Sequence, residues 1–139
     1  MFVQPYLFFE GRCDEALAYY QAALGAKVNM LMRYRENPQQ EYNPPASDDK
    51  IMHCSFSIGD TTLCASDGMC SGSPNFQGFS LSITVDTADE ADRLFNTIAD
   101  GGSVQMPIGE TFYSPRFGMA TDRFGVAWMV IMAPPQSCI

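Results

Sequence analysis

The feature that most constrains this chain is a pattern written twice. In each half a strand signal precedes a short amphipathic helix, and strands of alternating polarity follow it. Glu15-Ala16 and Tyr19-Tyr20 in the first helical stretch match Glu90-Ala91 and Leu94-Phe95 in the second at one constant offset. A chain of 139 residues that repeats such a unit has enough surface to bury one shared core, and it reads as a single domain over residues 1–139.

The first helix is predicted over Cys13 to Leu24. Leu17, Tyr20 and Leu24 share a face, Asp14 and Glu15 suit the positive N-terminal end, and Gly25 supplies the C-cap. The second opens on a Thr87/Glu90 capping box, carries Ala91, Leu94, Phe95 and Ile98 on one stripe, and stops at Gly101-Gly102. Met52, Cys54, Phe56 and Ile58 alternate with His53, Ser55 and Ser57, and Phe79, Leu81, Ile83 and Val85 alternate with Ser80, Ser82 and Thr84. Further strands are expected at residues 3–9, 28–34, 61–66, 103–112, 116–121 and 126–132.

The fold class that follows is α+β, two βαβββ modules pairing into a half-barrel around a cavity. Module one covers about 1–66, a Gly/Ser/Pro/Asn-rich linker 67–78, module two about 79–133, and a C-terminal tail 134–139. The polar stretch from Glu36 to Lys50 is longer than an ordinary connection and is predicted to be a mobile flap. Asp122-Arg123-Phe124-Gly125 is predicted as a hairpin turn, with Asp122 bonding the local backbone and Gly125 taking a positive φ.

Sixteen acidic against eight basic residues give a net charge of −8, which argues against nucleic acid and anionic membrane surfaces as partners. Five cysteines (Cys13, Cys54, Cys64, Cys70, Cys138) fit no disulfide framework and suit a reducing cytoplasm. The opening MFVQPYLFFEGRCDE reads as neither signal peptide nor anchor. Parity places Phe79, Leu81 and Ile83 against the helices and turns Ser80, Ser82 and Thr84 toward the cavity; a polar binding groove and a face wetted by solvent are both consistent with that. Trp128 takes helix-side parity, opposite to Met129. Glu110, in Gly-Glu-Thr-Phe-Tyr, is the best catalytic candidate if the flanking aromatics bury its carboxylate and raise its pKa. The alternative is an exposed residue, or one paired with Arg116 or Arg123. Tyr113 is a candidate pocket hydroxyl.

PYLFFEGRCDEALAYYQAALGA near the start and GETFYSPRFGMATDRFGVAWM near the end resemble the vicinal oxygen chelate superfamily, which includes glyoxalase I, bleomycin-resistance proteins and extradiol dioxygenases. The resemblance is closest to its PhnB-like branch, whose members often carry a demethylubiquinone methyltransferase-like label, and it covers nearly the whole chain. It implies a homodimer and a cavity that, in metal-dependent members, holds four His and Glu ligands on the first and last strands of each half. Counting along the sequence puts those positions on Pro5, near Cys64, on Ser80 and on Met129. That set suits no hard or borderline ion, so no metal and no other cofactor is expected. The sequence-adjacent group His53, Cys54, Cys64, Asp67 and Cys70 lacks zinc-site spacing. The expected function is binding of a small organic molecule in a pocket drawing on Pro5, Cys64, Ser80, Ser82, Tyr113 and Met129. A divalent-metal lyase, isomerase or dioxygenase and a bleomycin-resistance-like sequestration protein are the alternatives. A methyltransferase is disfavoured, because no Gly-rich strand-to-helix turn of a Rossmann-like cofactor site is present.

Overall fold

The computed structural model describes residues 1–133; the tail 134–139, with Cys138, lies outside the described residues. The chain divides between Asn75 and Phe76 into two compact units of the same plan. The first runs β1 (Tyr6–Phe8), α1 (Cys13–Leu24), β2 (Lys27–Arg33), β3 (Ile51–Ile58) and β4 (Thr61–Ser66). The second runs β5 (Leu81–Val85), α2 (Ala88–Ala99), β6 (Ser103–Gly109), β7 (Phe117–Thr121) and β8 (Ala127–Met132). The sheet orders are β1-β4-β3-β2 and β5-β8-β7-β6, each with a parallel first pair and antiparallel pairs after it. This is the expected α+β βαβββ duplication. Among the described residues no helix is long and apolar enough to cross a membrane.

In the first unit the period-two pattern sends one side of β1, β3 and β4 into the core with α1. Leu7, Cys54, Phe56, Leu63 and Ala65 are buried there, against Cys13, Ala16, Leu17, Tyr20 and Ala23 of the helix. Tyr20 stacks on Phe56 with ring centroids 6.1 Å apart. Each Leu or Phe side chain among them taken fully out of water contributes roughly 1.5–3 kcal/mol. Gly25 ends α1 in the left-handed region at φ 67°, with its N–H on Tyr20 O, as the sequence predicts.

Arg12 occupies the N-cap of α1 without a side-chain cap. The missing acceptor comes from far along the chain. Asp67, fully buried, takes Gly11 N–H at 3.0 Å and Cys13 N–H at 2.8 Å on Oδ1, and Ile51 N–H at 2.7 Å on Oδ2. Residue 67, expected to open a surface linker, is thus a buried tie between α1, β3 and β4.

Residues 36–50 also differ from the expected flap. Two 3₁₀ turns, Tyr34–Glu36 and Gln40–Tyr42, are stitched by their own amides. Gln40 Nε2 donates to the carbonyls of Tyr34, Arg35 and Asn37, and Asn43 Nδ2 donates to Tyr34 O. Lys50 Nζ reaches Gly11 O at 2.8 Å. Polar composition here supplies an internal hydrogen-bond network rather than a bare loop.

In the second unit Thr87 caps α2 by accepting Glu90 N–H at 3.2 Å. Ala91, Leu94, Phe95 and Ile98 form the buried stripe. Gly118 of β7 lies under Phe95 so closely that a Cβ would stand 2.6 Å from Phe95 Cε1. The turn Asp122–Gly125 forms as predicted. Asp122 Oδ1 accepts Phe124 N–H and Val126 N–H, Oδ2 accepts Trp128 Nε1–H at 2.9 Å, and Gly125 has φ 92°. Phe79, placed against the helix by parity, lies before β5 and is 46% exposed, because the strand begins two residues later.

Candidate functional site

The face of each sheet turned away from its helix carries the chemistry. In the first unit the register Tyr6↔Cys64↔Ser55↔Met30 draws one row across all four strands. Beside it, Met32 pairs with His53 on β2 and β3, and Phe8 pairs with Ser66 on β1 and β4. The Tyr6 hydroxyl lies 3.0 Å from His53 Nδ1, and their rings stack at 5.6 Å and 30°. Phe8 adds a third ring, 5.0 Å from Tyr6. Burial pushes the Tyr6 phenol up, against a hydrogen bond with Ser66 that lowers it, so it remains an O–H group at neutral pH.

In the second unit the corresponding row is Ser82↔Met129↔Met119↔Met106. A hydroxyl is followed by three thioethers on successive strands. Ser82 and Thr84 are exposed, while Met119 and Met129 are half-buried. The predicted parity therefore holds for this strand: Leu81 and Ile83 take one side, Ser82 and Thr84 the other. Ser80 precedes β5 and is half-buried.

The connections between first strand and helix differ in the two units. Between β1 and α1 stand Phe9, which is buried like Val85 at the end of β5, and then Glu10, Gly11 and Arg12; between β5 and α2 stand only Asp86 and Thr87. The first connection thus has one residue more, and it is accommodated by positive φ at both Glu10 (52°) and Gly11 (110°). Pro5 sits ahead of β1, half-buried, with its carbonyl accepting Cys64 N–H at 3.0 Å. Tyr6 is the residue whose side chain stands at the register of Cys64, as Ser82 stands at that of Met129. The run Tyr-Leu-Phe-Phe is apolar throughout, so alternation could not mark Tyr6 as facing outward.

Glu110 is exposed, and its expected partners are engaged elsewhere: Arg116 Nε lies 3.2 Å from Asp92 and Arg123 3.4 Å from Asp100. The aromatics beside it contact one another instead of covering the carboxylate. Phe112 meets Tyr113 edge-on at 4.9 Å, and Tyr113 meets Phe117 at 5.4 Å. Residues 110–115 line an open depression of about 250 Å³, so Tyr113 does border a hollow.

The four expected places, Pro5, near Cys64, Ser80 and Met129, offer no side-chain donor, a thiol, a hydroxyl and a thioether. This donor set does not fit the His/Glu-bound ions of metal-dependent vicinal oxygen chelate proteins. The other candidate group is dispersed by the fold. Cys54 faces α1, 3.9 Å from Cys13 Sγ, and the Asp67 oxygens are taken by backbone N–H groups. Among the described residues no group of three or more His, Cys, Asp or Glu side chains comes together.

Residues 2–131 match the model of a family described as 3-demethylubiquinone-9 3-methyltransferase. The protein YjdN of Escherichia coli (strain K12) is 35% identical over 96% of this chain and 97% of its own length. Protein PA1353 from Pseudomonas aeruginosa is 43% identical, with a TM-score of 0.83 over 95% of this chain and 97% of that one. The PhnB protein from Bacillus cereus is 27% identical, with a TM-score of 0.81 over 96% and 100%. Solved glyoxalase/bleomycin resistance/dioxygenase proteins share the fold at lower identity. The chain therefore belongs to the 3-demethylubiquinone-9 3-methyltransferase family, and it shares its fold with the PhnB protein and with glyoxalase/bleomycin resistance/dioxygenase proteins.

Proposed function

We propose that this protein binds a small organic molecule on the open sheet faces of its βαβββ units, as a homodimer and without a resident metal ion. The observation that carries the reading is the pair of cross-strand couples, Tyr6 with Cys64 and Ser82 with Met129, on the open sheet faces of the two units. Hydroxyl, thiol and thioether groups hydrogen-bond and pack against an organic molecule, and they leave no strong electrostatic demand for a cation. Pro5 stands ahead of β1 in the first unit, and in the second Ser80 stands ahead of β5 and Tyr113 lines the depression.

The methyltransferase in the family's description does not extend to this reading. The sequence has no Gly-rich strand-to-helix turn of a Rossmann-like cofactor site. The proposal leaves Glu110 as a surface carboxylate with no assigned catalytic role.

Native mass spectrometry of tag-free protein purified without chelators tests the reading. A dimer mass with an organic adduct and no metal is the expected result. One tightly held divalent ion per subunit, retained on desalting, overturns it in favour of metal-dependent lyase, isomerase or dioxygenase chemistry.

A further inference from the structure

The ring cluster on the first unit's open face has a chemistry that the strand couples do not. His53 is the only histidine in the chain. It stands on β3, one strand away from the Tyr6–Cys64 couple, and its Nδ1 lies at hydrogen-bond distance from the Tyr6 hydroxyl. With the Tyr6 O–H as the donor to Nδ1, the ring proton of His53 is carried on Nε2, which leaves Nε2–H as the remaining donor of the pair. Beside that donor lie the stacked Tyr6 ring and the Phe8 ring, 41% and 51% exposed. Exposed aromatic rings at stacking distances, next to one polar donor, form a surface for a flat ring with an acceptor at its rim.

We infer that Tyr6, Phe8 and His53 form a recognition site for a planar aromatic molecule bearing a carbonyl oxygen, the ring stacking on Tyr6 and Phe8 and the oxygen accepting from His53 Nε2. This rests on the small-molecule reading above and names the ligand class and the residues that meet it. Hydrogen-bonded donors discriminate by what they lose: an apolar ring of the same shape leaves the Nε2–H desolvated and without a partner. The site therefore favours the carbonyl compound over its hydrocarbon analogue.

The test uses 2-acetonaphthone and, as the matched hydrocarbon, 2-ethylnaphthalene, titrated into the intact protein while the lone imidazole is followed by NMR. The expected result is a saturable shift of the His53 ring signals with 2-acetonaphthone below about 1 mM, with weaker binding of 2-ethylnaphthalene. Tyr6→Leu, which removes both stacking and the hydroxyl, should weaken the ketone about tenfold, and Tyr6→Phe, which keeps the ring, by less. A folded Tyr6→Leu protein is recognised by a dispersed amide NMR spectrum, and Phe8→Leu serves as the second variant if Tyr6→Leu does not fold. Saturable binding that leaves His53 unmoved and is indifferent to these substitutions overturns the inference while the small-molecule reading stands. No saturable binding of either compound also overturns it, and an organic adduct in the native mass spectrum then still supports the broader reading.

Discussion

Asp67 Oδ1 lies 2.8 Å from the backbone nitrogen of Cys13, so a carboxylate more than fifty residues away performs the capping that Arg12 cannot. The same side chain holds Gly11 and Ile51, and it is fully buried. Asp67→Ala should lower the unfolding free energy by about 3–5 kcal/mol, because three N–H groups lose a charged acceptor inside the fold. In the second unit the cap is local, and Thr87→Ala should cost only about 1 kcal/mol. Urea unfolding of both variants checks the contrast; equal losses would show that Asp67 does not carry the tie assigned to it.

The two caps also show what the sequence makes legible. Thr87 and Glu90 are three residues apart, and a local motif announces itself, as do the apolar stripes, the Gly25 stop and the Asp122–Gly125 turn. Asp67 bonds Cys13 and Ile51 only after β3 and β4 have paired, and nothing adjacent in the chain signals it. The candidate site divides the same way. Ser82 could be assigned by parity because Leu81 and Ile83 are apolar and their neighbours polar, and Met129 by its distance from the Asp122–Gly125 turn. Tyr6 could not, since its strand is apolar on both sides. His53 was placed on a face with Ser55 and Ser57, but its contact with Tyr6 needs β4 between β1 and β3, a topological fact rather than a local one.

Asp122 ties the β7–β8 turn to the only tryptophan. Asp122→Ala leaves Phe124 N–H, Val126 N–H and the indole N–H without their acceptor in a buried setting, a loss of about 3 kcal/mol or more. Because Trp128 reports on its own surroundings, its emission should shift to the red under native conditions as the turn loosens. Asp122→Asn retains an acceptor for the two backbone groups and should fall between the two proteins. An Asp122→Ala variant as stable as the parent would mean that water replaces the carboxylate at no cost.

Gly118 is the point where β7 approaches α2. A methyl group there meets the Phe95 ring at 2.6 Å and the Ile108 Cα at 3.0 Å. Gly118→Ala should therefore destabilise by about 1–3 kcal/mol, the usual cost of overpacking. Phe95→Leu opens a cavity of its own, yet the double variant should be more stable than the sum of the two single losses predicts, since the smaller side chain makes room for the methyl. A double-mutant cycle by thermal unfolding measures this coupling, and strict additivity would place the clash elsewhere, at the Ile108 backbone.

The buried Cys13 thiol makes a pH dependence on the alkaline side. The neighbouring Cys54 sulfur, 3.9 Å away, burial and the negative charge of Asp67 together hold its pKa well above the ordinary thiol range. Below about pH 8.5 the thiol is protonated both folded and unfolded, and its contribution to stability is fully present. As the pH rises past that value the unfolded chain releases the proton and the folded protein retains it, so the unfolded state is favoured by up to about 1.4 kcal/mol per pH unit. Burial raises the Tyr6 and Tyr34 phenols too, which steepens the loss above about pH 10. Cys13→Ala should flatten the stability profile between about pH 9 and 10, whatever its effect on stability at neutral pH, because only the slope reports the titration. Unfolding free energies of the two proteins measured across that interval decide the matter: parallel slopes would show that Cys13 ionises as readily folded as unfolded.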